Sequence, residues 1–185
     1  AQAAPLHPPL SGLAQVAERV ANYPRPPELR CSSDPVRVEA LGQVLCDTAA
    51  AGGDAGPLQV FKVCETFHPP TIYLPPEAMR LDLLVSAAGH SFCEWKGVAR
   101  YFDVVAPAGS ALAGERLRRA VWQYPDPTAA FGAIAGWFAL YPGLMDAVWL
   151  AGERVIPQPG GFYGGWITSQ VEGPFKGDPL HPELI

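Results

Sequence analysis

Val36-Arg-Val-Glu-Ala-Leu-Gly-Gln-Val-Leu-Cys-Asp47 decides the fold class of this chain. Val36, Val38 and Ala40 alternate with Arg37 and Glu39, the two-residue period of a half-buried strand. Gly42 stands where a second strand must turn back, so the stretch predicts a β-hairpin. Similar signals recur downstream. Residues 58–65, 71–74, 92–95, 99–105 and 120–124 read as further strands, and 148–150 with 152–156 reads as a second hairpin. The Gly-rich run Gly160-Gly-Phe-Tyr-Gly-Gly-Trp-Ile-Thr168 leads into a late strand, with glycines suited to close approach of the backbone. Residues 49–56 are small and Gly-rich and read as a loop. Pro75 and Pro76 open a turn of helix through Met79.

Two helices are expected. Asp126 is a good N-cap, Pro127 suits the first helical position, and Ala130, Phe131, Ile134, Trp137 and Phe138 form one stripe. This predicts a main helix near residues 127–140, ended by Tyr141-Pro-Gly143. Gly132 and Gly136 cost it ~1 kcal/mol each relative to Ala, a cost explained by close packing on a sheet. A short N-terminal helix is expected near residues 12–21, capped by Ser11, with Leu13, Val16, Ala17 and Val20 on one stripe and Tyr23-Pro-Arg-Pro-Pro27 as its stop. The fold class is therefore mainly β with α+β character. Residues 1–30 are expected as a Pro-rich arm, and residues 31–185 as a single β-rich domain with an extended C-terminal tail.

The bulk numbers agree. A chain of 185 residues can bury a real core in one domain. Its 21 prolines and 19 glycines have no repeat period, which fits many turns between short strands. Aromatic residues spread along the whole chain exclude disorder. The net charge of −5 argues against duplex nucleic acid or an anionic membrane as a partner. The one basic cluster, Arg116-Leu-Arg-Arg119, reads as a solvated face or strand end. Cys31, Cys46, Cys64 and Cys93 form no Cys-x-x-Cys pair, so neither a zinc knuckle nor a disulfide framework is expected, and reduced thiols fit a cytoplasmic setting. Residues 1–9 lack the charged and apolar regions of an export signal. No apolar run reaches the ~20 residues that span a bilayer.

Three stretches can carry chemistry. Glu65-Thr-Phe-His68 sets a carboxylate and an imidazole three residues apart, stiffened by two prolines, as in an acid/base pair. Cys93-Glu94-Trp95-Lys96-Gly97 combines a thiol, a carboxylate, an indole and an ammonium. In a strand, Cys93, Trp95 and Gly97 would face one way, and Glu94 and Lys96 the other. Lys96 suits an anionic ligand, while Cys93 reads as packing. Trp122-Gln-Tyr-Pro-Asp126 puts Trp122 and Tyr124 on one strand face before a helix N-terminus, a place for an anion unless Asp126 caps it. Trp95-Lys-Gly97 and Phe175-Lys-Gly177 echo each other, as turn chemistry does by coincidence. Phosphate-binding loops, nucleophile elbows and His-Glu-x-x-His are absent, and the four histidines are dispersed. No metal and no cofactor are expected.

At this point the residues resemble a bacterial and fungal family, domain-of-unknown-function family 427, also labelled a nucleotidyltransferase-type domain. The pieces that carry the resemblance are Tyr23-Pro-Arg-Pro-Pro27, Glu65-Thr-Phe-His-Pro-Pro70, Cys93-Glu-Trp-Lys-Gly97, Trp122-Gln-Tyr-Pro-Asp-Pro127 and Phe138-Ala-Leu-Tyr-Pro142. The tail adds Pro157-Gln-Pro-Gly-Gly-Phe-Tyr-Gly-Gly-Trp-Ile-Thr168 and Gly173-Pro-Phe-Lys-Gly177. The likeness runs from about Tyr23 to Gly177 and is nearest a longer, cyanobacterial-like subgroup. It implies compact antiparallel sheets of Mss4-like, β-tent type with a ligand pocket between sheets. Some relatives of that architecture hold zinc through paired Cys-x-x-Cys, which this chain lacks. Nucleotidyl transfer needs carboxylates for magnesium and donors for a triphosphate, and neither is recognisable here.

Three functions follow as expectations. The first is a domain binding a small anionic or carbonyl ligand through His68, Tyr73, Trp95, Lys96, Tyr101, Trp122, Tyr124, Phe162, Tyr163 and Trp166, since pockets combine apolar walls with few polar groups. The second is a transferase or lyase using Glu65, His68, Cys93, Glu94 and Lys96. The third is an interaction module whose Pro-rich ends bind a protein or a second copy, giving a homodimer.

Overall fold

The computed structural model describes residues 16–184. In chain order, β1 (Glu18–Arg19), β2 (Glu28–Ser32), β3 (Val36–Ala40) and β4 (Gln43–Asp47) precede a short helix, α1 (Thr48–Gly52). Then come β5 (Val60–Cys64), β6 (Thr71–Tyr73), β7 (Leu84–Cys93), β8 (Gly97–Val105), β9 (Arg116–Gln123) and β10 (Phe138–Leu140). The remaining strands are short: β11 (Ala147–Leu150), β12 (Glu153–Arg154), β13 (Ile156–Pro157), β14 (Trp166–Ile167) and β15 (Val171–Glu172).

The first expected hairpin forms as β3–β4. Leu41 and Gly42 turn it with φ of 50° and 72°, and Asp146 accepts the Gly42 N–H at 2.8 Å. The strands assemble into antiparallel sheets ordered β12-β11-β3-β4, β10-β9-β8-β7 and β2-β5-β6, with a small β13-β14 pair and a parallel β1-β15 pair. The second and third sheets join edge to edge. Leu74 N–H donates to the Phe138 carbonyl at 2.7 Å, and Phe138 N–H returns the bond at 3.0 Å.

Side-chain alternation gives this joined sheet two different faces. Ile72, Leu74, Val121, Phe138 and Leu140 pack with Val36, Val38, Ala40 and Leu45 of the first sheet in the main core. Their neighbours Tyr73, Trp122 and Ala139 point the other way and pack with Ala99, Tyr124, Phe131 and Ile134. The mainly β, α+β class is therefore right.

Several local expectations are corrected. There is no α-helix over residues 127–140. A 3-10 turn covers Ala129–Ile134, broken at Phe131 (φ −112°, ψ 16°), and the chain then enters β10. Gly136 takes φ 73° and donates its N–H to the Tyr124 carbonyl at 3.0 Å. Phe138, Ala139 and Leu140 pair with Gln123, Trp122 and Val121. Two glycines weaken the helix, and sheet pairing of the last three residues outweighs the helical stripe. Conversely, the expected loop at 49–56 holds α1, because Asp47 caps it by accepting the Ala50 N–H at 2.9 Å. Of the expected helix at 12–21, residues up to 15 lie outside the described region, Glu18–Arg19 is strand, and a 3-10 turn follows at Val20–Asn22. Strand β2 crosses residue 30, and Val20 and Tyr23 pack on Cys64 with Val171 and Phe175. No helix among the described residues is long and apolar enough to cross a membrane.

Candidate functional site

A cavity of about 820 Å³ opens on the second face of the joined sheet. Three neighbouring strands make its floor: Ser91 and Cys93 on β7, Tyr101 on β8, and Trp122 on β9 with Tyr124 just after it. Tyr73 and Tyr141 complete it. The rings hold one another in place. Trp122 Nε1 donates to Tyr73 Oη at 3.4 Å, Trp122 lies 4.7 Å from Tyr141 between ring centres, and Tyr101 Oη is 2.7 Å from Ser91 Oγ. Burial pushes the phenols of Tyr73, Tyr124 and Tyr141 above the ordinary tyrosine range, reinforced at Tyr124 by Tyr73 and at Tyr141 by Tyr101. They therefore remain neutral hydroxyls, able to donate and accept.

One wall is His68, which follows β5 in a loop closed by Pro69 and Pro70. Gln158, only 3 % exposed, fixes this ring. Its Oε1 accepts the Gly165 N–H at 3.1 Å, and its Nε2 donates to the Lys176 carbonyl at 2.9 Å. The amide is thereby oriented, so its Nε2, 3.0 Å from His68 Nδ1, is a donor there. His68 Nδ1 accepts, and in the neutral ring the proton sits on Nε2. Burial holds His68 below its ordinary range, helped by Lys176 and Arg25 and opposed by Glu65. The ring is thus a neutral N–H donor near pH 7.

Tyr163 stands edge-on to His68 at 4.8 Å, Phe162 edge-on to Tyr163 at 4.9 Å, and Lys176 Nζ sits 5.4 Å above the Tyr163 ring. This loop lies directly on the floor. A Cβ at Gly164 would fall 2.3 Å from Trp122 Cη2, so only glycine fits.

The opposite wall is the turn between β7 and β8. Glu94, Trp95 and Lys96 do not alternate as a strand, as expected from sequence, but round a turn that closes at Gly97 with φ 99°. Thr128 anchors the turn, donating from Oγ1 to the Trp95 carbonyl at 2.6 Å and from N–H to the Lys96 carbonyl at 3.1 Å. Lys96 Nζ lies over Tyr124 and Phe131 at 5.6 and 5.8 Å.

The cavity thus gathers Glu65, His68, Tyr73, Cys93, Glu94, Trp95, Lys96, Tyr101, Trp122, Tyr124, Phe162 and Tyr163. Trp166 is the exception: it is 1 % exposed and packs in the main core, with Nε1 lacking a partner among the described residues. The expected Glu65–His68 pair does not form through side chains. Arg25 takes the Glu65 carboxylate at 3.0 Å, and only the His68 backbone N–H reaches Glu65, through its carbonyl at 2.9 Å. Nor does a helix N-terminus face Trp122 and Tyr124.

Sequence reasoning missed Arg119, Tyr141, Lys176, Ser91, Phe92 and Gly164 in the lining, and Gln158 behind it. One signal was present: in both echoed motifs the lysine lines the cavity and the next glycine is left-handed, Gly97 at 99° and Gly177 at 97°. Lys96, Arg119 and Lys176 form no ion pair among the described residues. No three His, Cys, Asp or Glu side chains among the described residues converge as a metal site needs.

Residues 28–151 match the family described as a domain of unknown function (DUF427), and the chain belongs to that family. No curated protein matches it. The matched span holds the floor and the hairpin turn, while Phe162, Tyr163 and Lys176 come from beyond it.

Proposed function

For this member of the DUF427 family we propose a small-molecule-binding role, with an anionic or carbonyl ligand held in the cavity on the second sheet face. One observation carries the proposal: three cations without ion-pair partners among the described residues and the His68 N–H line one cavity over a floor of tyrosine hydroxyls and Trp122. Rings supply contact area at low conformational cost, and a few polar groups fix orientation. A charge-assisted hydrogen bond to an oxyanion is roughly twice as strong as a neutral one. The volume suits a metabolite-sized molecule. The proposal includes a β-tent type architecture and a cytoplasmic setting.

A second reading, a transferase or lyase using Glu65, His68, Cys93, Glu94 and Lys96, draws on the fact that all five line the same cavity. The His68 tautomer favours the first. With Nδ1 occupied by Gln158 and the proton on Nε2, the ring donates to a ligand and has no free lone pair to act as a base.

Native mass spectrometry of protein purified from its own source tests the proposal. A co-purifying small acid or carbonyl compound, lost in a Trp122→Ala variant, is the expected result. A protein that is empty from its source and shows no change in tryptophan fluorescence with any metabolite acid overturns it. Turnover of the bound compound, abolished in Lys96→Ala, would move the assignment to the second reading.

A further inference from the structure

Arg119 is placed in the cavity by two irregularities that face each other. On β9, the pairing with β8 shifts between Phe102 and Val104, and Arg119 takes φ 49°, a region side chains other than glycine seldom adopt. Counting back from Trp122 in regular alternation, residues 120 and 118 would share the cavity face. The shift turns residue 119 there instead.

On β7, the pairing slips between Ala87 and His90, which exposes the Ala88 carbonyl, and the Arg119 Nη1 donates to it. Gly89 leaves room for this: a Cβ there would come 2.8 Å from Nη1. Between the two strands, the guanidinium lies over Tyr101, its central carbon 4.0 Å from the ring centre. Asp103, only 5 % exposed, fixes the β9 irregularity by accepting the Arg119 backbone N–H at 2.7 Å and Arg116 Nη1 at 2.9 Å.

Arg119 is solvent-exposed, yet solvation alone requires none of these contacts. Strained backbone at a cavity, held by a buried carboxylate, points to a side chain whose position matters. Only one of the five guanidinium N–H groups has a hydrogen-bond partner among the described residues, the Ala88 backbone carbonyl, so a fork of donors remains for an oxyanion. The neighbouring rings of Trp122 and Tyr141, their planes 49° apart, form an aromatic wall in the same cavity.

We propose that Arg119 is the oxyanion-binding residue of the cavity, positioned by Asp103, and that its ligand joins a carboxylate or phosphate to an aromatic ring. This rests on the binding role proposed above and narrows its ligand class.

The test is titration of the full chain by tryptophan fluorescence and calorimetry. The probes are benzoate and phenyl phosphate, with benzyl alcohol as the neutral ring and acetate and inorganic phosphate as anions without a ring. One of the two aromatic acids is expected to bind at least about tenfold more tightly than benzyl alcohol and than its ringless counterpart, the scale of one charge-assisted contact. Whichever acid binds identifies the anionic group. Arg119→Gln should reduce that acid to the level of benzyl alcohol, and Arg119→Lys should keep part of the difference. Asp103→Asn should weaken the acid several-fold and leave benzyl alcohol unchanged, which a general loss of stability would not do.

Equal affinity for acid and neutral ring overturns the inference and leaves the binding cavity standing. Failure of every ring compound to bind overturns it as well, and, with an empty protein in the mass spectrum, takes the binding role with it. Unchanged acid affinity in a folded Arg119→Gln or Arg119→Lys chain overturns the part assigned to Arg119. If Arg119→Gln does not fold, the acid-against-alcohol comparison in the unmutated chain and the Arg119→Lys arm still decide.

Discussion

Val121 and Trp122 are consecutive on β9 and serve opposite faces of one sheet. Val121 enters a core dominated by Val, Leu, Ile and Ala side chains, while Trp122 lies in a cavity floor whose other rings, Tyr73, Tyr101, Tyr124 and Tyr141, each carry a hydroxyl. Both residues are covered, Val121 at 0 % and Trp122 at 8 % exposure. Burial alone therefore does not separate stability from function here. The chemistry of the buried atoms does. The aliphatic face has nothing to orient a ligand, whereas every floor hydroxyl has more than one use.

The largest effect should come from the aliphatic face. Leu45 is fully buried there. Leu45→Ala removes methyl groups from a packed interior, so a loss of about 3 kcal/mol is expected in urea unfolding. Ligand affinity measured on the folded fraction should stay within about twofold, because distant sites act independently. A large affinity change would break the division between the two faces.

Gly164→Ala sharpens the division from the other side. The added methyl must displace the Trp122 indole or the loop that carries Tyr163. Overpacking of this kind costs about 1–3 kcal/mol. Its signature should be a shifted tryptophan emission and weaker ligand binding together, unlike Leu45→Ala. Normal binding with lowered stability would mean that the loop is only packing.

Tyr73→Phe is subtler. It leaves the ring and removes the oxygen to which Trp122 Nε1 donates. A buried donor without an acceptor costs about 1 kcal/mol or somewhat more, and the 3.4 Å length of this bond sets the expectation at the low end. The melting point should fall by a few degrees, and indole emission should shift because its N–H environment changes.

What could be read from sequence follows the same division. Strands were legible where one face is aliphatic, as at Val36, Val38 and Ala40, because alternation is then visible. The strand read at residues 120–124 was legible for the same reason, Ala120 and Val121 being buried in the main core. The misreadings concern segments whose conformation is set by distant partners. Phe138 ends a stripe with helical spacing, but the backbone of Phe138 to Leu140 closes onto Leu74 and β9, which no local pattern reveals. Arg119 looked like part of a charged strand end because the irregularity that turns it inward depends on Asp103, sixteen residues earlier. Trp166 sat in an aromatic, Gly-rich run with Phe162 and Tyr163, yet strand pairing with Pro157 turns it into the main core. The cavity residues were recognisable by type, and their roles were not, because roles depend on partners such as Gln158.

The smallest effect concerns pH and should arise on the cavity face alone. Among the main-core residues only Cys46 can ionise, and burial pushes its thiol far above the physiological range. His68 is different. Burial first, then Lys176 and Arg25, lower its pKa in the folded chain below the ordinary 6.5, and Glu65 only partly offsets this. The unfolded chain therefore binds a proton more readily than the folded one. Its contribution to stability is complete above pH 6.5, is lost as pH falls from 6.5 toward the lowered folded value, and does not decline further below it. The carboxylates of Asp34 and Asp103, held below their ordinary 3.8, lose their contributions only at more acidic pH. Urea unfolding at pH 7.5 and 5.5 isolates the histidine. The native chain should be less stable at 5.5, and His68→Gln should show a smaller difference between the two values, whatever its stability at 7.5. An equal difference in both proteins would place the titration elsewhere and remove the neutral His68 donor from the cavity.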